Sequence, residues 1–600
     1  MSPTFLADAP RFLFFTGKGG VGKTSLACAT AVALADTGRR VLLVSTDPAS
    51  NVGHVFAADL TSAPTAIVAV PGLDAVEIDP EAAAEAYREK IVGPVRNLLP
   101  AAEVAAITES LSGSCTTEIA SFNEFTGFLA DPVSTAAYDH VIFDTAPTGH
   151  TIRLLELPGD WSRFLDTGKG DASCLGPMSG LEKQRSTYAM AVAALGDPDL
   201  TRLVLVARAD RSALAEAARA SGELEDRGMV RQHLVINAML PMAAAQGDPL
   251  AEALAAKERE ALDQLPEALE GLPRDQIALK PGEVLGVDSL RGLLAEDDEQ
   301  PPVRPEAYEP TDGDVLSSGL PLGLDALVDE LARGDHGLVM CMGKGGVGKT
   351  TVAAALAVGL AARGHRVHLS TTDPAGHPES VVRGTVENLT VTRIDPAAAV
   401  EAYRDNVMRT KGDRLDADGR AQLAEDLRSP CTEEVSVFHA FSKVITEAAH
   451  QFVIVDTAPT GHTLLLLDST GSYHREVVRN MSPGQRFTTP MMRLRDQDLT
   501  KLVLVTLPET TPVLEARQFE ADLARADLHP WAWVVNNSLA AARPTSALLQ
   551  ARATAELNRI REVADHSPRT AVLPMTAAEP TGPARLLDLS RLDTRPAAVG

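Results

Sequence analysis

An eight-residue stretch, Gly17-Lys18-Gly19-Gly20-Val21-Gly22-Lys23-Thr24, recurs letter for letter as Gly343-Lys344-Gly345-Gly346-Val347-Gly348-Lys349-Thr350. Both copies fit G-x-x-x-x-G-K-[ST], the phosphate-binding loop. Such a loop works only between a strand and a helix. Its glycines let successive N–H groups turn inward on phosphate oxygens, and the following helix adds its positive N-terminal end. The flanks agree, since apolar Phe12–Phe15 and Leu338–Met342 read as short strands and Ala-rich helical stretches follow. Lys23 and Lys349 then pair with β- and γ-phosphates, and the hydroxyls of Thr24 and Thr350 face Mg²⁺.

The repeat extends well beyond the loops. The loops and the segments Thr46-Asp47-Pro48-Ala49 and Thr372-Asp373-Pro374-Ala375 are offset by 326 residues. Ile78-Asp79-Pro80 returns as Ile394-Asp395-Pro396, and Cys115 as Cys431, both at 316; the eight residues from Asp144 return from Asp456 at 312. A drifting offset marks a duplicated domain with small insertions, not a short-period solenoid. Six hundred residues also exceed one ordinary core. Within each half, short apolar runs alternate with helical stretches. The runs are Val41–Ser45, Val141–Phe143, Leu203–Ala207 and His233–Ile236, then Val367–Ser370, Phe452–Val455, Leu502–Thr506 and Trp533–Val535. This predicts an α/β fold: two tandem P-loop NTPase domains, each a mostly parallel sheet with helices on both faces. The acidic, Pro- and Gly-rich stretch 296–320 reads as an exposed linker between a first half, 1–295, and a second, 321–600, with helix resuming near Gly323–Arg333.

A net charge of −26 argues against broad contact with nucleic acid or anionic lipid. No apolar run approaches the ~18 residues of a membrane span. The N-terminus lacks a basic stretch followed by an apolar one, so a cytoplasmic protein is expected. Five cysteines without C-x-x-C suit a reducing compartment.

Asp144 and Asp456 close the runs VIFD and VIVD, where a strand-tip carboxylate beside a phosphate loop holds Mg²⁺ or its water shell. Asp47 and Asp373 also stand at strand ends, before proline, and are candidates for positioning the attacking water. Asn237 and Asn536 end LVIN and WVVN, where a carboxamide offers one donor and one acceptor face to an adenine edge. The plainer alternatives are a capping aspartate for the first pair, an ordinary Asp-Pro turn for the second and an asparagine turn for the last. Cys28 and Cys341 lie in apolar runs and read as small buried hydrophobes. Cys115, Cys174 and Cys431 have Gly, Ser and Pro neighbours and read as loop or helix-start thiols, where thiol pKa values fall and metal ligation becomes easy.

Together, the duplicated GKGGVGKT and DTAPTGHT, with CTTEIASF, SPCTEE and CLGPMSGLEK, resemble the arsenical pump-driving ATPases of the deviant Walker A class. The resemblance covers nearly the whole chain. In that class the early loop lysine, here Lys18 or Lys344, serves the nucleotide of the facing partner, so the two halves would form a pseudo-dimer. It implies an ATPase stimulated by arsenite or antimonite that energises export of As(III) or Sb(III) through a membrane carrier of the ArsB type, at whose inner membrane face it is peripheral. It also implies a metalloid site whose ligands, carried over position by position, are Cys115, Cys174, His150, Ser429, Cys431 and His462. Whether a metallochaperone delivers the metalloid stays open. The second half reads DPAGHPES against DPASNVGH and has no match for Cys174, so the nucleotide sites are not equivalent.

Other readings fit less well. A tail-anchored-protein targeting ATPase needs a long Met- and Leu-rich helical insert and commonly a C-x-x-C zinc site. A partition-type positioning ATPase usually has one catalytic half and an amphipathic membrane helix or basic patch. An Fe–S reductase needs four thiolates where three candidates exist. A zinc Cys₃His site remains chemically open.

Overall fold

The computed structural model describes residues 3–46, 52–94, 114–130, 135–145, 189–295, 321–373, 376–410, 431–458 and 489–591, with isolated positions between them. The chain divides into two compact units, Met1–Arg304 and Pro305–Gly600. The expected linker, 296–320, lies outside the described residues.

The first unit carries strands β1 (Phe12–Thr16), β2 (Val41–Ser45), β3 (Thr65–Ala66), β4 (Leu73–Glu77), β5 (His140–Asp144), β6 (Thr201–Ala207), β7 (Gln232–Met239) and β8 (Arg274–Ala278). They form one sheet in the order β3-β4-β2-β5-β1-β6-β7-β8. Every pairing is parallel except β3 with β4. The second unit carries β9 (Gly337–Met342), β10 (Val367–Thr371), β11 (Leu389–Arg393), β12 (Phe452–Asp456), β13 (Thr500–Thr506), β14 (Pro530–Ser538) and β15 (Thr570–Pro574). Its sheet runs β11-β10-β12-β9-β13-β14-β15, parallel throughout. This is the α/β architecture expected from the alternating runs.

The central strands are buried along their length, as FLFFT, VLLVS and FVIVD must be when helices cover both faces of a parallel sheet. In the first unit Phe14 stacks on Phe143 with centroids 4.4 Å apart, and Phe125 meets Phe143 edge-on. Every apolar run singled out from the sequence lies in a strand. Helix Leu324–Leu331 falls where helix was expected to resume. Strands β3, β4, β8, β11 and β15 were not anticipated. They lie toward the sheet edges, where β8 buries a single residue of RDQIA and LTVTR of β11 buries none fully.

The repeated Ile-Asp-Pro triplet is a helix start. Asp79 Oδ1 accepts from the N–H groups of Glu81 and Ala82 at 2.9 and 3.1 Å, and Asp395 does the same for Ala397 and Ala398 at 2.9 and 3.2 Å. Proline at the first helical position costs nothing there, because its missing N–H would have no partner. The capped helices, Pro80–Val92 and Pro396–Thr410, pack on Ser114–Ala130 and Cys431–Glu447. Ala83, Ala84 and Ala120 allow the close approach in the first pair. Thus the cap steadies the support of the two helices that begin at Ser114 and Cys431.

Asp79→Ala removes both cap bonds and should cost about 0.5–2 kcal/mol locally. Amide exchange across Pro80–Val92 is expected to speed up by roughly 2- to 30-fold, with β1 and β5 unchanged. Unaltered exchange in that helix would show that packing alone holds its first turn.

Candidate functional site

Both octamers occupy the bend between a central strand and a buried helix: β1 to Lys23–Asp36, and β9 to Lys349–Ala362. Gly22 and Gly348 are the N-caps, left-handed at φ 91°, and neither offers a side chain to the first-turn N–H groups. Those donors are therefore left to the loop's interior, which is what an anion site needs. A Cβ at Gly22 would run into Asn237 Nδ2, and one at Gly348 into Asn536 Nδ2. Glycine is required there twice over.

Lys23 and Lys349 are almost wholly buried, 7% and 5% exposed. Each folds back so that Nζ donates to a carbonyl of its own loop, Lys18 at 3.2 Å and Lys344 at 3.0 Å. Burial lowers the pKa of Lys349, opposed by the charges of Asp456 and Asp373. Register places Asp144 beside Phe15 and Asp456 beside Cys341, one strand over from each loop. There the loop threonines meet them: Thr24 Oγ1 donates to Asp144 Oδ2 at 2.8 Å, and Thr350 Oγ1 to Asp456 Oδ2 at 2.7 Å. The structure therefore brings together lysine, threonine and strand-tip aspartate in both halves.

The carboxylates are 0% exposed. Asp456 Oδ1 has no hydrogen-bond partner, while Thr371 Oγ1 donates to Oδ2 at 3.1 Å. Burial is the main cause of an Asp456 pKa pushed up to about 6, partly offset by the Thr350 hydroxyl and the Lys349 charge. A buried carboxylate oxygen lacking a donor, next to a threonine hydroxyl, is a hard-oxygen set that fits Mg²⁺. Ser45 holds the register position of Thr371, and its hydroxyl makes no hydrogen bond. The two sites already differ at this depth.

Asn237 and Asn536 each engage one end of the carboxamide with a phosphate loop. Their Nδ2 atoms donate to Val21 O and Val347 O, each at 2.9 Å, so they brace the loops from β7 and β14. Lys18 Nζ donates to Ser212 Oγ at 2.6 Å, whereas Lys344 Nζ forms an ion pair with Glu515. Sequence reading missed both partners; comparing the two halves position by position was the available signal.

Asp373 is described and half-buried; its N–H donates to Thr371 Oγ1 at 3.1 Å. Asp47, His150, Cys174, Ser429 and His462 lie outside the described residues. Cys115 is the second residue of helix Ser114–Ala130, and Cys431 the first of Cys431–Glu447. Cys28 and Cys341 are fully buried, and burial, then the nearby Asp144 or Asp456, pushes their thiols up. They stay neutral and hydrophobic. Among the described residues no helix is long and apolar enough to cross a membrane.

A family profile described as "Anion-transporting ATPase" matches residues 10–296 and 336–494. An arsenical pump-driving ATPase of Escherichia coli is 56% identical over 589 residues, 98% of this chain and all of that protein. The protein of that name from Acidiphilium multivorum is 56% identical over 97% of this chain and 99% of its own length. ATPase GET3 of Kluyveromyces lactis is 30% identical over 47% of this chain and 87% of its own. That similarity spans about one half.

The raised pKa of Asp456 has a sign. Between 3.8 and about 6 the folded protein keeps a proton that the unfolded chain has released. Stability therefore falls as pH rises through that window, and the penalty is complete above about 6. Asp456→Asn should make the metal- and nucleotide-free protein more stable at pH 8, on the order of 3 kcal/mol, with the gain mostly gone at about pH 4. Denaturant unfolding of both proteins across that range checks it; a gain independent of pH would place its origin outside the carboxylate's ionisation.

Proposed function

The chain belongs to the anion-transporting ATPase family and is an ATPase; from that premise we propose that it hydrolyses Mg²⁺–ATP at two sites to drive export of As(III) or Sb(III) through a membrane carrier. The observation that carries the reading is the twinned lysine–threonine–aspartate set, reproduced at a phosphate loop in each half. Full-length similarity to two arsenical pump-driving ATPases, against half-length similarity to ATPase GET3, supports the choice of cargo.

In this reading the loop amides, Lys23 and Lys349 hold the β- and γ-phosphates. Thr24 with Asp144, and Thr350 with Asp456, would hold Mg²⁺, which would supply neutralisation of phosphate charge there. Lys23 and Lys349 exchange their loop carbonyls for phosphate oxygens, a stronger charge-assisted bond. Asp47 and Asp373 orient the attacking water. Lys18 and Lys344 stabilise charge on the transferring group, each for the nucleotide of the opposite half. Asn237 and Asn536, besides bracing the loops, offer their remaining carboxamide atoms to the base.

The metalloid is the transported substrate. As(III) and Sb(III) are thiophilic, so thiolates of Cys115, Cys174 and Cys431 are the ligands chosen by softness, with His150, His462 and Ser429 completing the set. A thiol at a helix start is the more readily ionised one, and that is the backbone position of Cys115 and Cys431. Metalloid bound between cysteines of both halves favours the hydrolytically competent state, and linkage requires nucleotide to tighten metalloid binding by the same factor. The protein docks on its carrier from the cytoplasmic side.

Two measurements test this. Antimonite should stimulate ATP hydrolysis in the parent. Cys115→Ser, Cys174→Ser and Cys431→Ser should keep basal turnover but lose the stimulation or need far more antimonite. Unchanged responses in all three remove the soft-ligand basis of the proposal. Lys18→Ala should bind ATP yet lower kcat more than affinity, as expected for a charge felt mainly in the transition state. Normal turnover in both Lys18→Ala and Lys344→Ala would exclude their catalytic role.

A further inference from the structure

We propose that Glu515 is a clamp that holds Lys344 within its own half, so that the second phosphate loop is gated by an ion pair which the first loop lacks. The inference rests on the reading of Lys18 and Lys344 as phosphate-directed cations. Lys344 Nζ is paired with Glu515 Oε1, and the two side chains are only 29% and 14% exposed. Lys18, by contrast, donates to the neutral Ser212 hydroxyl at 2.6 Å and has no carboxylate within ion-pair distance among the described residues.

The difference does not come from the glutamate itself. Glu515 lies six residues after the N-cap Glu509 of helix Thr510–Arg525, and Glu216 lies six after the N-cap Asp210 of helix Arg211–Glu225. Each half therefore has a glutamate at the same helical position. What differs is one turn further on. Arg219 grips Glu216 at 2.7 Å and also pairs with Glu223. At the position of Arg219 the second half has Gln518, which among the described residues bonds only to Asp522, the counterpart of Glu223, at 3.3 Å.

A glutamine brings no charge, so Glu515 takes its cation from the loop. In the first half the arginine neutralises the glutamate by i,i+3 pairing and leaves the lysine on a hydroxyl. One substitution, arginine to glutamine, thus decides whether the lysine is committed. A lysine bound to a carboxylate of its own half reaches no phosphate until that pair opens. Because both partners are partly desolvated, opening costs more than for a surface pair.

The test reads both lysines in one full-length molecule. The nucleotide-free protein is treated with a limiting amine-acetylating reagent, and Lys18 and Lys344 are followed by mass spectrometry. Lys344 should react about two- to tenfold more slowly than Lys18. Glu515→Gln should remove the difference. So should Gln518→Arg, which rebuilds the first half's arrangement without deleting the glutamate and guards against a folding defect in the first variant. Arg219→Gln should slow Lys18 by exposing it to Glu216. In steady-state ATP hydrolysis, Glu515→Gln and Gln518→Arg should raise kcat with little change in KM, because the pair opens after binding. Lys344 reactivity unaffected by both second-half variants overturns the clamp. Faster labelling with unchanged kcat overturns its gating of turnover. Absence of hydrolysis in the parent overturns the ATPase reading and the gating with it, while the labelling still reports the ion pair by itself.

Discussion

Everything in each half is arranged around a buried lysine and a buried carboxylate at adjacent strand ends. Lys349 and Asp456 are 5% and 0% exposed, and Lys23 and Asp144 are 7% and 0%. Removing such groups from water costs several kcal/mol each, and mutual attraction returns that only when the remaining polar atoms are well paired. Here the pairing is incomplete: Asp456 Oδ1 lacks a donor, and Lys349 is held by a single loop carbonyl in the described contacts. The core of the sheet and the glycine-built loop hold the two groups in place regardless. Such a site is stabilised by whatever supplies the missing partners, and an anion bound with a hard cation supplies both.

That constraint explains why so much was legible. A phosphate loop needs a strand before it and a helix after it, and a carboxylate beside it needs a neighbouring parallel strand. Once both motifs recur, the sheet's centre is settled, and β1, β5, β9 and β12 lie where the apolar runs predict. Strands β8 and β11 escaped notice because they bury too little. The sequence LTVTR carries two polar threonines and an arginine, and only backbone pairing with β10 makes it a strand. Asn237 and Asn536 show a different limit. A carboxamide at a strand tip bonds to whatever approaches it, and the approach of the loop carbonyls is a tertiary fact separated by 216 and 189 residues. The Asp79 and Asp395 caps were visible as a repeated triplet, but their role appears only with the helix behind them.

The two copies have diverged unevenly, and the pattern follows from the cost of change. Core positions stay apolar, since volume changes in a packed interior cost roughly 1–5 kcal/mol each. Polar positions around the site are cheaper to alter and tune it directly. Ser45 against Thr371 changes how many hydroxyls reach the strand-tip carboxylate. Arg219 against Gln518 changes which cation a shared glutamate takes. A duplicated chain can therefore keep one fold and run two sites of different readiness.

One further divergence lies inside the second sheet. His368 on β10 takes the place of Leu42 on β2, and both its ring nitrogens are engaged: Nδ1 with Glu447 at 2.7 Å and Nε2 with Thr392 at 2.7 Å. Glu447 is the last residue of the helix that begins at Cys431, and β10 runs on toward Asp373. The same carboxylate also accepts from Gln451 at 2.9 Å. A nearly buried, doubly bonded imidazole allows little sliding, because any shift breaks two good hydrogen bonds and leaves polar atoms unpaired. The helix carrying a candidate metalloid ligand at one end is thus fastened at its other end to the strand that delivers a candidate water-positioning carboxylate. In the first half, where leucine stands, that histidine-mediated fastening is absent. A displacement at Cys431 would then be passed to β10 as a rigid motion.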